Sequence, residues 1–129
     1  VILNISNHTP KIIFLKMPFM SENNKLALMA MEESIDKIQR FTSDLSSWQD
    51  LKNDEETFDA CLMNFVIIGE SVLRLDANFI ETNNQIEWHK IRGFRNLIAH
   101  DYFGIDIEEV WDILQNKIPE LKQFISKLN

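Results

Sequence analysis

Apolar residues in this chain recur three and four positions apart, stretch after stretch, and very little interrupts them. Only three glycines and three prolines occur in 129 residues, too few punctuation marks for a fold of many strands and turns. The first stripe, Leu28, Met31, Ile35, Ile38 and Leu45 with Thr42 between, predicts an amphipathic helix over 25–45 with Ser21 as N-cap. Asp54, followed by Glu55 and Glu56, marks a second start, with acids at the positive end of the helix dipole. Its stripe runs through Phe58, Cys61 or Leu62, Phe65, Ile68, Val72 and Leu75. The segment CLMNFVIIG is apolar on more than one side, which predicts the central helix.

DANFIETNNQ reads as a polar connection. A shorter helix follows from about Glu87, with Trp88, Ile91, Phe94 and Ile98 on one face and Gly104 near its end. Asp106 with Glu109 resembles a capping box, and the stripe Ile107, Val110 or Trp111, Leu114, Ile118, Leu121, Ile125 and Leu128 closes the chain. Pro119 must kink that last helix or begin a new segment. The expectation is an all-α protein, an antiparallel bundle of four to five helices, since each stripe needs another to cover it. Residues 1–20 lack this period and carry Pro10 and Pro18. They read as an N-terminal extension, with Met17 or Met20 as a translation start, ahead of one domain over 21–129.

The lone Cys61 sits in an apolar run and reads as a buried, inert thiol, which points to a reducing, cytoplasmic setting. No apolar run reaches the roughly 18 residues of a membrane span. The net charge of −7 argues against a general nucleic-acid coat protein but leaves room for one local RNA contact, because 89–95 carries Lys90, Arg92 and Arg95 with no acid. His8, His89 and His100 have no ligand at metal-binding spacing, and no glycine-rich phosphate loop occurs, so neither a metal nor a cofactor is expected. Trp88 and Trp111 fall on apolar faces as core residues, whereas Trp48 lies in a polar loop.

One segment resists the plain reading: RGFRNLIAHDYFG, 92–104. In an unbroken helix, five residues turn about 500°, so Arg95 and His100 point about 140° apart. They converge only if the helix ends or bends near Ala99. By spacing alone, Arg95 also reads as a surface residue, His100 as a cap at the helix C-terminus and Tyr102 as half-buried packing.

RNLIAHDY resembles the R-x4-H-x-Y motif of the HepT-like branch of HEPN-domain ribonucleases, with Arg95, His100 and Tyr102 in the fixed places. FVIIGESVLRL is similar to the family's I-G-E segment, IEWHKIRGFRNLIAHDYFGID to its most recognisable block, and VWDILQNKIPELKQFI to its closing helix. The likeness covers roughly 22–128. It implies a HEPN helical bundle acting as a metal-independent RNase, the toxin of a toxin–antitoxin pair, neutralised by a minimal nucleotidyltransferase that adds AMP to Tyr102. It also implies a homodimer whose cleft gathers both copies of the motif.

The residue chemistry agrees. RNA brings its own nucleophile, the 2′-hydroxyl, so cleavage needs a proton acceptor, a proton donor and positive charge at phosphorus. Histidine, with a reference pKa of about 6.5, serves as acid or base, and arginine offers a charged planar fork to phosphate. One histidine cannot act on both sides of an in-line displacement at once, so a two-fold dimer would supply the second. Tyr102 can bond a phosphate or stack on a base, and AMP placed there would block RNA by bulk and charge. Asn96 and Asp101 are candidates to orient the pair, with Asp101 steadying a protonated His100. Glu70, an acid in an apolar helix, calls for a partner in Arg92 or Arg95. The other class of function open to this sequence is a HEPN module that binds nucleotide or RNA beside a nucleotidyltransferase without cutting.

Overall fold

Capping residues decide where each stripe becomes a helix. A computed structural model describes residues 20–128, and among these every regular element is helical. Helix α1 (Glu22–Phe41) begins behind Ser21, whose hydroxyl accepts from the Asn24 N–H at 3.1 Å. It stops at Thr42, whose hydroxyl donates to the Ile38 carbonyl at 2.8 Å. The short α2 (Trp48–Lys52) is capped by Ser47. Asp54 caps α3 (Glu55–Val72), accepting from the Thr57 hydroxyl at 2.7 Å and its N–H at 3.1 Å, and those two bonds hold the Asp54 carboxyl below its ordinary pKa. Next come α4 (Ala77–Thr82) behind Asp76, α5 (Trp88–His100), a 3-10 turn over Tyr102–Gly104 and α6 (Ile107–Asp112) behind Asp106. A π turn, Ile113–Lys117, leads into α7 (Ile118–Lys127).

The central helix is α3, as its two-sided apolarity predicts: it packs against α1 and against α5. Leu28, Met31, Ile35 and Ile38 of α1 meet Cys61, Leu62, Phe65, Ile68 and Val72 of α3, and Val110, Leu121 and Ile125 close the core. At one end Phe79, Trp88 and Phe124 form an aromatic cluster with centroids 5.6–6.4 Å apart, Phe124 meeting both others edge-on. Asn24, buried at the head of α1, exchanges two bonds of 3.0 Å with Asp76, tying the starts of α1 and α4 together.

Two short helices depart from the expected four to five. The stretch read as a polar connection contains α4, and Trp48 opens α2 and is half-buried rather than lying in a loop. Each spans one or two turns around a single anchor, Phe79 or Leu51, too short to show a period. Pro119 acts as expected on the last helix. Having no N–H of its own, it starts a fresh segment, and the Ile118 N–H reaches back five residues to the Ile113 carbonyl. The readings placed on residues 1–19, including a start at Met17, fall outside the described residues; Met20 packs half-buried against the core.

Cys61 is fully buried, and burial, reinforced by the charge of Asp54, pushes its thiol up to about 12. A thiol whose folded pKa lies above its value of 9.0 binds protons more tightly in the folded state, so this contribution is intact below pH 9 and is lost as pH rises towards 12. Native protein at pH 8 should therefore leave Cys61 unreactive towards a disulfide reagent, with full reaction in urea. Rapid labelling of the native chain would contradict the burial. Phe124→Ala should cost about 3–5 kcal/mol in urea unfolding, since it empties the aromatic cluster.

Candidate active site

The contact between α3 and α5 rests on a missing side chain. Gly69 is buried within α3, and a Cβ there would lie 2.8 Å from Arg95 Cγ, closer than real atoms approach. A glycine inside the most apolar helix costs about 1 kcal/mol against alanine; here it makes room for Arg95. That arginine belongs to the face of α5 that also carries Trp88, Ile91 and Ile98, so it is directed at α3 rather than at water.

Beside Gly69 stands Glu70, and it meets Arg95, one of the two partners considered for it. Arg95 Nε donates to Glu70 Oε1 at 2.8 Å, and Nη2 donates to the same oxygen. Nη1 donates to Asn96 Oδ1 at 2.9 Å. Three of the five N–H groups of the guanidinium are thereby engaged, leaving one on each terminal nitrogen to face an incoming anion. The group is part-buried and held on two sides, which fixes its plane.

His100 is placed differently from the convergence considered above. The Asp101 N–H bonds to the Leu97 carbonyl at 2.8 Å, so the α-helical ladder runs through His100 and ends just after it. Without a bend at Ala99, Arg95 and His100 keep the helical offset of about 140°. His100 instead continues a row with Arg92 and Asn96, four residues apart each time. Asn96 thus stands between the two motif residues: it holds Arg95 directly and lies one turn below His100. His100 is exposed and makes no side-chain bond among the described residues. The Asp101 carboxylate does not reach it; that carboxylate is folded over Gly104, where a Cβ would collide with it. Gly104 has no positive φ, so it closes the turn by its lack of a side chain and not as a left-handed cap. Arg92 is exposed, with no ion pair among the described residues, whereas Lys90 is bound to Glu87 at 2.8 Å.

Tyr102 leads the 3-10 turn and donates its hydroxyl to Asp59 Oδ1, on the second turn of α3. That bond, followed by partial burial and the charges of Asp59 and Glu55, raises the phenol above its ordinary value of 10.0. Its ring meets Phe103 edge-on at 5.3 Å, and Phe103 itself is 97% exposed. Sequence reasoning passed over Asp59, since nothing local marks it 43 residues before its partner. Gly69 did carry a signal, its position inside an apolar helix. On the other side of α5, a groove of about 470 Å³ lies open, lined by Ile91, Phe94, Leu97, Ile113 and Leu121 and rimmed by charge. An added Cβ at Gly93 would meet nothing within 4 Å there.

The ribonuclease HepT-like family matches residues 31–128. The chain belongs to the HepT-like ribonuclease family. A Methanocaldococcus jannaschii protein named as an RNase is 37% identical over 87 residues, covering 67% of this chain and 71% of its own. Another from that organism, whose name joins a gamma-glutamylcyclotransferase to an RNase, is 31% identical over 109 residues; this covers 84% of the present chain but 49% of its length. A Thermococcus cleftensis protein bearing the name ribonuclease HepT is 29% identical over 109 residues, 84% of this chain and 98% of its own. No solved structure matches. The helices described above form the HEPN-like all-α bundle, and family membership gives the enzyme class, a ribonuclease. Among the described residues, no helix is long and apolar enough to cross a membrane.

Gly69→Ala should separate α3 from α5. The expected outcome is a loss of about 1–3 kcal/mol in urea unfolding, from overpacking a filled contact. A variant as stable as wild type would mean that Arg95 does not depend on this gap.

Proposed function

We propose that this protein is a metal-independent endoribonuclease, the toxin of a toxin–antitoxin pair, and that it works as a homodimer in the cytoplasm. The observation that carries the reading is the guanidinium of Arg95, clamped by Glu70 and Asn96 with two N–H groups left over, on the same helix as an exposed His100 with no side-chain bond among the described residues. RNA supplies the 2′-hydroxyl as nucleophile. His100 removes its proton or protonates the departing 5′-oxygen, and Arg95 offers its remaining donors to the phosphorane-like transition state. Arg92 adds charge along the same row as His100.

Two features favour completion of the site by a second copy. Arg95 and His100 leave α5 on different sides, so one chain alone does not surround a phosphate. The groove on the other side of α5, with Leu97 40% exposed, is apolar surface of the kind that association covers. A dimer also pools two histidines, one for each proton transfer. Tyr102 follows His100 by two residues at the mouth of this region, and AMP attached to its hydroxyl by a minimal nucleotidyltransferase, the antitoxin, would shut the site by bulk and negative charge.

Cleavage of end-labelled RNA in EDTA tests the reading. Wild type of unmodified mass should yield 2′,3′-cyclic phosphate ends, whereas His100→Ala and Arg95→Ala should each lose about a hundredfold or more. Since His100 is exposed and bonds to none of the described side chains, His100→Ala should unfold at the wild-type urea concentration. RNA held but uncut by unmodified wild type would favour the non-catalytic binding module instead.

A further inference from the structure

Tyr102 is the chain's one tyrosine, and its hydroxyl already has a partner, Asp59 of α3. Neither side chain is buried: Asp59 is exposed and Tyr102 is 39% exposed. Packing therefore does not fix the phenol oxygen; this one bond and the edge-on ring of Phe103 do. Glu55, four residues before Asp59 on the same face of α3, is the other charged group facing the phenol from that helix. On Tyr102's own segment stand His100 and Asp101, and neither bonds to the phenol, Asp101 being turned onto Gly104.

We propose that Asp59 is the catalytic base on this chain for the modification of Tyr102: it aims the phenol oxygen and takes its proton as that oxygen attacks the α-phosphorus of ATP. The inference rests on the reading that Tyr102 accepts AMP, and it names the group that makes this tyrosine an acceptor. In the step, a bond forms from the Tyr102 oxygen to phosphorus while the bond from phosphorus to the β-phosphate oxygen breaks. Pyrophosphate leaves with the electron pair, and the phenol proton passes to the Asp59 carboxylate and then to water. A base is needed because a phenol with a pKa near 10 is almost wholly protonated at neutral pH, and the carboxylates around this one make phenolate scarcer still. A proton acceptor already in hydrogen-bond contact satisfies the geometric condition for general-base catalysis.

The same carboxylate has a second effect once transfer is complete. The esterified oxygen has no hydrogen left to donate, so the bond to α3 is lost. The new phosphodiester carries a negative charge beside Asp59 and Glu55, which repel it. Modification thereby releases Tyr102 from α3 and moves AMP away from that helix.

The test uses the full chain, Mg–ATP labelled in the α-phosphate and a minimal nucleotidyltransferase. Asp59→Asn keeps an acceptor oxygen for the phenol but not a base. Incorporation into it should fall about a hundredfold or more, Asp59→Glu should recover much of the loss, and RNA cleavage by both should stay near wild type. Between pH 6 and 9 the wild-type rate should be nearly flat, whereas that of Asp59→Asn should climb about tenfold per unit as it draws on free phenolate. Equal incorporation into Asp59→Asn and wild type would overturn the role of Asp59 while leaving Tyr102 the acceptor. So would a loss shared equally by Asp59→Glu with an unchanged pH profile, which would reduce the contact to a structural one. No label on Tyr102 of wild type would overturn the acceptor reading itself, and this proposal with it.

Discussion

The approach of α5 to α3 at Gly69 is the constraint on which the rest of this site depends. Removing one methyl group from the central helix lets an arginine occupy a position that the apolar stripe of α5 would otherwise give to a hydrophobe. A guanidinium brought against an apolar helix must be compensated, and the next residue, Glu70, does so. The pair is part-buried, so desolvation is moderate, and the arginine keeps unspent donors at its outer edge. Gly69 and Glu70 thus work as a unit, the first admitting Arg95 and the second orienting it. Asn96 then holds the other side of the guanidinium, at Nη1, from its own helix.

Electrostatics sets the scale on which such a site can act. A chain of net charge −7 offers RNA no long-range attraction. Whatever holds the substrate must be short-range and local, and the structure narrows the candidates. Lys90 is paired with Glu87, and Lys117 approaches the same carboxylate at 3.9 Å. Arg92 and the outer edge of Arg95 are what remain of the basic segment. Two such edges brought together across a dimer would double the local field without changing the net repulsion elsewhere, which favours discrimination over indiscriminate binding.

Much of this was legible from spacing. The long helices, their caps at Ser21, Asp54 and Asp106, and the break at Pro119 follow from local rules, because a cap and a stripe are written within a few residues of each other. The short helices α2 and α4 were not legible, each resting on one anchor that meets the core only in three dimensions. The motif residues could be picked out by resemblance, but their arrangement could not. Whether α5 bends before His100 turns on a single backbone bond, from the Asp101 N–H to the Leu97 carbonyl, and no side-chain pattern encodes it. Asp59 was invisible for a related reason: on a helix surface already rich in acids, one more carboxylate says nothing until its partner arrives from 43 residues away.

The three motif residues stand on supports of very different stiffness, and that difference bears on regulation. Arg95 is wedged between helices and tied by three bonds. His100 is fixed in its backbone by the last turn of α5, but its side chain has no partner among the described residues. Tyr102 sits beyond the helix on a short 3-10 turn, its hydroxyl held by one bond to a charged, solvent-facing carboxylate. A group attached to Arg95 would have to pry α3 from α5 and would threaten the fold, since that contact joins two faces of the core. A group attached to Tyr102 need break only one exposed hydrogen bond, a change worth little to global stability. Of the three positions, the one past the helix end is where a bulky, charged modification can switch the site while leaving the bundle that supports it intact.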